Sequence, residues 1–298
     1  MFDDSAVSSG IGTTTGIEFV LADSVRVGGG SINETWRLSG KCGREYFLKL
    51  NEPSQLDMFI AEAEGLLELA AAEAIRVPQP VCYGGENGRH SYIVLEYIAF
   101  SRGSGTAEQQ LGEQLAQMHR VTSGGRGYGW HRENTIGATH QPNNWQADWV
   151  SFLREQRLGF QAKLAARNGG SKSMLGKCRR VLEGLDFYFE QYKPEPSLLH
   201  GDLWSGNYGF DETDQPVIFD PAVYFGDRES DLAMTELFGG FPRSFYDAYE
   251  QAWPLDPGYT RRRELYKLYH ILNHFNMFGG SYAGQAEMIL DKILNCLP

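Results

Sequence analysis

The run Leu198–Asp231 constrains this chain more than any other stretch: LLHGDLWSGNYGFDETDQPVIFDPAVYFGDRESD reads as an apolar lead-in, a tight polar loop, a turn, a short apolar strand and a second carboxylate loop. Asp202 precedes Asn207 by 5 residues, Asn207 precedes Asp220 by 13, and Val217, Ile218 and Phe219 deliver Asp220 from a strand. Transfer of a phosphoryl group from a nucleoside triphosphate asks little covalent work of a protein. It demands a positioned acceptor hydroxyl and metal-neutralised phosphates. The spacing predicts Asp202 as the acceptor-orienting base, with Asn207 and Asp220 as hard oxygen ligands for Mg2+. Any one of these residues alone would be an ordinary turn residue. The set, introduced by His200 and Gly201, points to phosphoryl transfer, with His200 expected to brace the loop through hydrogen bonds.

Composition narrows the setting. A chain of 298 residues with 42% hydrophobic content can supply cores for two modest domains sharing a cleft. A net charge of −11 excludes a general nucleic-acid or anionic-membrane binder, since such partners call for a basic surface. Cys42, Cys82, Cys178 and Cys296 are too scattered for a zinc pair or a disulfide framework. The first ten residues carry no basic residue and no apolar block, and no later run approaches a membrane span. A cytoplasmic protein with reduced thiols is expected.

Along the chain, residues 1–16 are rich in Ser, Thr and Gly and read as a loosely held lead-in. Strand-like segments then flank Gly28, Gly29 and Gly30, where backbone N–H groups could approach phosphate, although a plain glycine-rich hairpin has the same pattern. Lys49 lies on the strand REYFLKLN, just before a helix predicted over Gln55–Ala72 with Leu56, Phe59, Ile60, Ala63, Leu66, Leu67 and Ala70 on one face. Glu62 and Glu64 flank that stripe on opposite sides, and helical geometry alone does not choose between them as a partner for Lys49. The apolar strand SYIVLEYIAF leads into a segment SRGSG. There the backbone of Glu96, Tyr97 and Ile98 is placed to read an adenine edge; the alternative is a core strand and a linker.

Helices dominate after Thr106. His119, at the end of an apolar stripe, reads as a packing residue. The stretch SGGRGYGWHRENTIGATHQPNNW reads as a long loop too polar for core, either a wall of an acceptor pocket or a support for the catalytic loop. Residues 156–191 are expected to be mostly helical, their cations on a solvated face. Near the C-terminus Leu265, Leu268, Leu272 and Phe275 share a helical face, and Asn273 and His274 lie beside it.

HGDLWSGN, followed by FDPA and FGGFPRSF, resembles the fructosamine kinase (ketosamine 3-kinase) family, a branch of the protein-kinase-like fold near the aminoglycoside phosphotransferases. Trp204, Ser205 and Gly206, Pro221, and Gly239 to Pro242 narrow the resemblance beyond that superfamily. It implies an α+β, bilobal protein-kinase-like fold, with a small β-rich N-lobe over 1–100 and a larger, mostly helical C-lobe over 101–298. It implies ATP and Mg2+ as cofactors and a small-molecule or protein-bound ketosamine as substrate, phosphorylated on a sugar hydroxyl. By the same resemblance Glu62 pairs with Lys49 on the ATP phosphates, Trp204 packs on the sugar, and Asp231 braces the catalytic loop; a helix N-cap is the plainer reading of Asp231, and the two roles can coincide. A sister kinase for aminoglycosides, choline or another sugar would keep Asp202, Asn207 and Asp220 without needing Trp204. A non-catalytic ATP-binding protein is the non-enzyme alternative, but every catalytic position is filled.

Overall fold

The computed structural model describes residues 4–28, 32–86 and 88–298. The chain forms two compact units, residues 1–107 with 209–220, and residues 108–208 with 221–298.

The first unit is built on an antiparallel five-stranded sheet of β1 (Leu21–Arg26), β2 (Glu34–Gly40), β3 (Glu45–Asn51), β4 (Pro80–Glu86) and β5 (His90–Glu96), in the order β1-β2-β3-β5-β4. Alternation along β3 sends Tyr46, Leu48 and Leu50 to one face and Lys49 to the other. The face carrying Leu48 is covered by helix α1 (Asp4–Thr15), which corrects the reading of residues 1–16 as a loose lead-in. Val7 and Ile11, one helical turn apart, are fully buried against Leu38, Leu48, Tyr92 and Val94. Burying each contributes about 1.5–3 kcal/mol, enough to offset the poor helix propensity of the surrounding Ser, Thr and Gly residues.

Helix α2 (Leu56–Ala71) follows a single 3-10 turn over Pro53–Gln55. Phe59, Ala63 and Leu66 are buried as the pattern predicts, but Leu67 is 53% exposed and Leu69 takes its place. The SRGSG segment is partly ordered into the unit: Phe100 and Ser101 pair with Asp211 and Phe210, and Ser101 Oγ donates to the Asp211 carbonyl.

The second unit is mostly helical. Trp149–Phe152 is capped by the Asp148 carboxylate, which accepts from the Ser151 amide at 2.7 Å, and runs through a π turn into Gly159–Arg167. The stretch read as a polar loop contains a hairpin of Asn134–Ile136 and Thr139–Gln141. Its Tyr128, Trp130, Asn134, Gln141 and Asn143 are buried, so it is core after all, its polar groups satisfied internally. Arg157 likewise departs from the solvated face expected of it. It is 1% exposed, donates to the Pro142 carbonyl and to Asn143 Oδ1, and stacks 4.0 Å over the Tyr224 ring. Leu265, Leu268, Leu272 and Phe275 are buried on the helix Tyr259–Phe278, as the periodicity predicts. Among the described residues no helix is long and apolar enough to cross a membrane.

That helix also buries His270, whose Nδ1 has no hydrogen-bond partner among the described residues. Burial, and secondarily the neighbouring His274, lowers its pKa to about 3. Because the folded value is depressed, the neutral ring stabilises the fold above the unfolded pKa, and that stability is lost as pH falls from about 6.5 toward 3. At pH 5 the loss should be about 2 kcal/mol. Melting temperatures of wild type and His270→Phe between pH 7.5 and 5 check this: the variant should show the shallower decline, and parallel profiles would dismiss the residue as the cause.

Candidate active site

Lys49 is the best-defined group in the first unit. Its side chain is 4% exposed, and Nζ lies 2.5 Å from both Glu62 Oε1 and Asp220 Oδ1. Burial alone would lower its pKa, but the Asp220 and Glu62 carboxylates outweigh it and hold the ammonium charged. Glu62 is pushed upward by burial, against the pull of Lys49. The choice between Glu62 and Glu64, which helical geometry left open, therefore falls on Glu62 in the structure.

Asp220 adopts φ 57°, in the left-handed region that a non-glycine residue enters at a cost. The strand before it hangs on the Arg76 backbone, whose carbonyl accepts from the Ile218 amide at 3.0 Å. Arg76 also pairs through its side chain with Asp211 and Glu96.

The glycine turn is closed at its base. Val27 N donates to the Thr35 carbonyl at 3.0 Å, and Thr35 Oγ1 returns a bond to the Val27 carbonyl at 2.7 Å. A Cβ on Gly28 would meet nothing within 4 Å, so the protein's own packing does not require glycine there. Gly29 and Gly30 lie outside the described residues. Beyond β5, the Glu96 amide is engaged by the Gln79 carbonyl at 2.8 Å and the Glu96 carboxylate by Arg76. Tyr97 lies under the Arg37 guanidinium, and Ile98 is buried. These side chains are committed to the fold.

In the second unit the HGD turn is set by buried polar contacts. Asp231 is the third residue of the helix Glu229–Thr235, not its cap. Its carboxylate accepts from the His200 amide at 2.7 Å and the Gly201 amide at 2.8 Å. His119 Nε2 lies 3.2 Å from the same carboxylate, and its Nδ1 lies 2.8 Å from the Tyr249 hydroxyl. Burial raises the Asp231 pKa, but the His119 bond and further contacts outweigh it, so the pKa lies below its ordinary value. The carboxylate being ionised, His119 donates from Nε2 and accepts from Tyr249. Gly201 sits at φ 83°, and a Cβ there would come within 2.1 Å of the Ala222 carbonyl oxygen, so no other residue fits.

His200 is fully buried and its Nδ1 accepts from the Asp202 amide at 3.2 Å. Asn207 Nδ2 donates to the Asp202 carbonyl at 2.8 Å, which leaves Oδ1 as the atom the carboxamide presents to a cation. No cluster of three His, Cys, Asp or Glu side chains that could hold a metal occurs among the described residues. The Asn207 carboxamide oxygen in the second unit and the Asp220 carboxylate in the first are each hard oxygen donors of the kind magnesium takes. Trp204 is half-buried, its ring edge-on to Phe238 at 6.0 Å, and a Cβ on Gly206 would strike that ring at 2.4 Å. Asn273 is spent on Gln161 and the Ile136 carbonyl. His274 packs its ring on Phe238 at 4.7 Å.

The family model for fructosamine kinase matches residues 4–296. The chain belongs to the fructosamine kinase family. It is 46% identical over 293 residues to a Synechocystis sp. protein named a ketoamine kinase, covering 97% of this chain and 96% of that one. It is 42% identical to a chloroplastic protein-ribulosamine 3-kinase of Arabidopsis thaliana, covering 91% and 82%. The crystal structure of a Haemophilus somnus protein named a fructosamine-3-kinase superposes with TM-score 0.87 at 31% identity, covering 97% and 96% of the two chains. This fructosamine kinase family member thus has the α+β, protein-kinase-like fold, and Asp202, Asn207 and Asp220 fall within the matched residues.

Proposed function

We propose that this chain is an ATP-dependent kinase that phosphorylates a sugar hydroxyl of ketosamines, sugars joined to amines by glycation, and so promotes their deglycation. The observation that carries the phosphotransfer reading is Lys49, buried and held between the carboxylates of Glu62 and Asp220. A buried ammonium kept charged and oriented by two carboxylates is suited to hold the phosphates of a nucleotide. The ketosamine reading rests on family membership and on Trp204 in the catalytic loop.

In this reading Lys49, with Glu62 behind it, holds the α- and β-phosphates. The backbone of Gly28 would approach the phosphates, and that of Tyr97 and Ile98 would meet the base. Asn207 Oδ1 and the Asp220 carboxylate would hold magnesium, which when bound neutralises charge on the transferring phosphoryl group. Asp202 orients the acceptor hydroxyl and takes its proton, while His200 and Asp231 keep the turn in place. A reducing cytoplasmic setting fits the cysteines, all four of which are free thiols.

The test is a coupled ATP-consumption screen over fructosamine, ribulosamine, erythrulosamine, choline and aminoglycosides, with the phosphorylated product identified by mass spectrometry. Turnover confined to choline or an aminoglycoside would refute the ketosamine reading. Within it, Trp204→Ala should lower kcat/KM for a ketosamine by about 10- to 100-fold through misorientation of the acceptor. Mg-ATP affinity and melting temperature should stay near wild type, because the ring is only half-buried. A variant that melts early and loses nucleotide binding as well would mark Trp204 as an anchor of the loop.

A further inference from the structure

We propose that Gln141 is a positioning residue for Asp202, acting through the peptide of Ala222. The inference rests on the role given above to Asp202. It assigns a task to the buried hairpin Asn134–Gln141, whose sequence suggested either a pocket wall or a support.

Gln141 is 1% exposed and uses its whole carboxamide. Nε2 donates to Asn134 Oδ1 at 2.9 Å and to the Ala222 carbonyl at 3.1 Å, while Oε1 accepts from the Tyr269 hydroxyl at 2.6 Å. The flipped amide would set oxygen against two oxygens, so the orientation follows from the partners. Asn134 Nδ2 in turn donates to the Val223 carbonyl at 2.9 Å. Two consecutive carbonyls, Ala222 and Val223, are thus each held by a carboxamide of the hairpin.

Ala222 touches the catalytic turn through both of its flanking peptides. The Ala222 amide donates to the His200 carbonyl at 2.8 Å. The Ala222 carbonyl oxygen occupies the space in which Gly201 would carry a Cβ. Asp231 secures the amides of His200 and Gly201, and the Ala222 peptide secures the opposite side of the same turn. Without Gln141 the Ala222 carbonyl loses its buried donor and the peptide is free to rotate, which moves the support under Gly201 and with it the Asp202 side chain. No other residue type of this size supplies two donors and an acceptor. A glutamate would present only acceptors to Asn134 Oδ1 and the Ala222 carbonyl.

The experiment compares Gln141→Leu and the isosteric Gln141→Glu with wild type, alone and combined with Asp202→Asn. Each single variant should lower ketosamine kcat by about 10- to 100-fold, the scale of a small misplacement of a reacting group. KM for ATP should change less than about twofold, since its contacts are elsewhere. In the Asp202→Asn background the further loss should be under about threefold, because the two substitutions disable one device. Hydrogen exchange at the Ala222 amide should quicken in both variants, a readout that needs no substrate. A folded variant with wild-type kcat, a full-sized additional loss in the double variant, or unchanged Ala222 exchange would each overturn the proposal. Wild-type protein that phosphorylates no ketosamine, yet shows faster Ala222 exchange on substitution, would instead refute the substrate reading and leave the clamp standing.

Discussion

Asp202→Asn should lower turnover by roughly two to four orders of magnitude, the range for loss of a general base. The substitution is nearly isosteric. Two backbone contacts of residue 202, the amide to His200 Nδ1 and the carbonyl from Asn207 Nδ2, survive it, and a carboxamide oxygen can still accept the 3.5 Å bond that Asn207 Nδ2 makes to the carboxylate. The loop should therefore stay in place while the carboxylate proposed to orient the hydroxyl and take its proton is gone. Steady-state kinetics with a ketosamine should show the fall in kcat, and calorimetry should find the Mg-ATP Kd within about threefold of wild type, because uniform binding is untouched. Wild-type turnover in this variant would remove Asp202 from the mechanism, and a matching loss of nucleotide affinity would mean that the loop itself had shifted.

Asp231→Ala should be the most destabilising single substitution in the second unit. The carboxylate accepts from the amides of His200 and Gly201 and from His119 Nε2, all of them buried. Truncation leaves three donors without acceptors, at about 1–3 kcal/mol for each group so stranded, and removal of one partner from a buried charged network typically costs about 3–5 kcal/mol. A drop in melting temperature of about 10 °C is expected on the usual scaling for a domain of this size. Asp231→Asn should fall between, because its carboxamide oxygen can take the place of the oxygen that accepts from His200 and His119 while Nδ2 confronts the Gly201 amide. A melting temperature within a degree or two of wild type in the alanine variant would show that the turn finds other partners.

What could be read in advance depended on whether a residue's task shows in its own type and spacing. Asp202, Asn207 and Asp220 could be singled out because metal and acceptor chemistry demands those side chains at those intervals, whereas the contact that makes Gly201 irreplaceable, with the Ala222 carbonyl, shows only in the fold. Lys49 was legible as a strand lysine before a helix; Glu62 and Glu64 straddle the apolar stripe, so spacing did not choose between them, and the resemblance that named Glu62 agrees with the observed pair. The hairpin at Asn134–Gln141 misled for a related reason. Polarity argues for solvent only when hydrogen bonds are not made internally, and these side chains find Ala222 and Val223 at separations of 81 and 89 residues, pairings that no local pattern encodes. Arg157 hid in the same way, since a cation stacked on Tyr224 and bonded to Asn143 is written in sequence just as a solvated one. In α1 the signal was two residues, Val7 and Ile11, too few to outweigh their Ser- and Thr-rich surroundings.

The packing of residues 209–220 with the N-terminal unit bears on how the chain is made on the ribosome. The five-stranded sheet and its two helices are complete once residue 96 has emerged, so most of the unit's hydrophobic contacts are available early. The last strand and Asp220 are synthesised more than a hundred residues later, and Asp220 is separated from its partner Lys49 by 171 positions. Until then the nascent unit holds a lysine in an apolar setting with Glu62 as its single carboxylate partner. Completion of the Lys49 ion-pair set is thereby deferred until most of the second unit's chain, its HGD turn included, has already been translated.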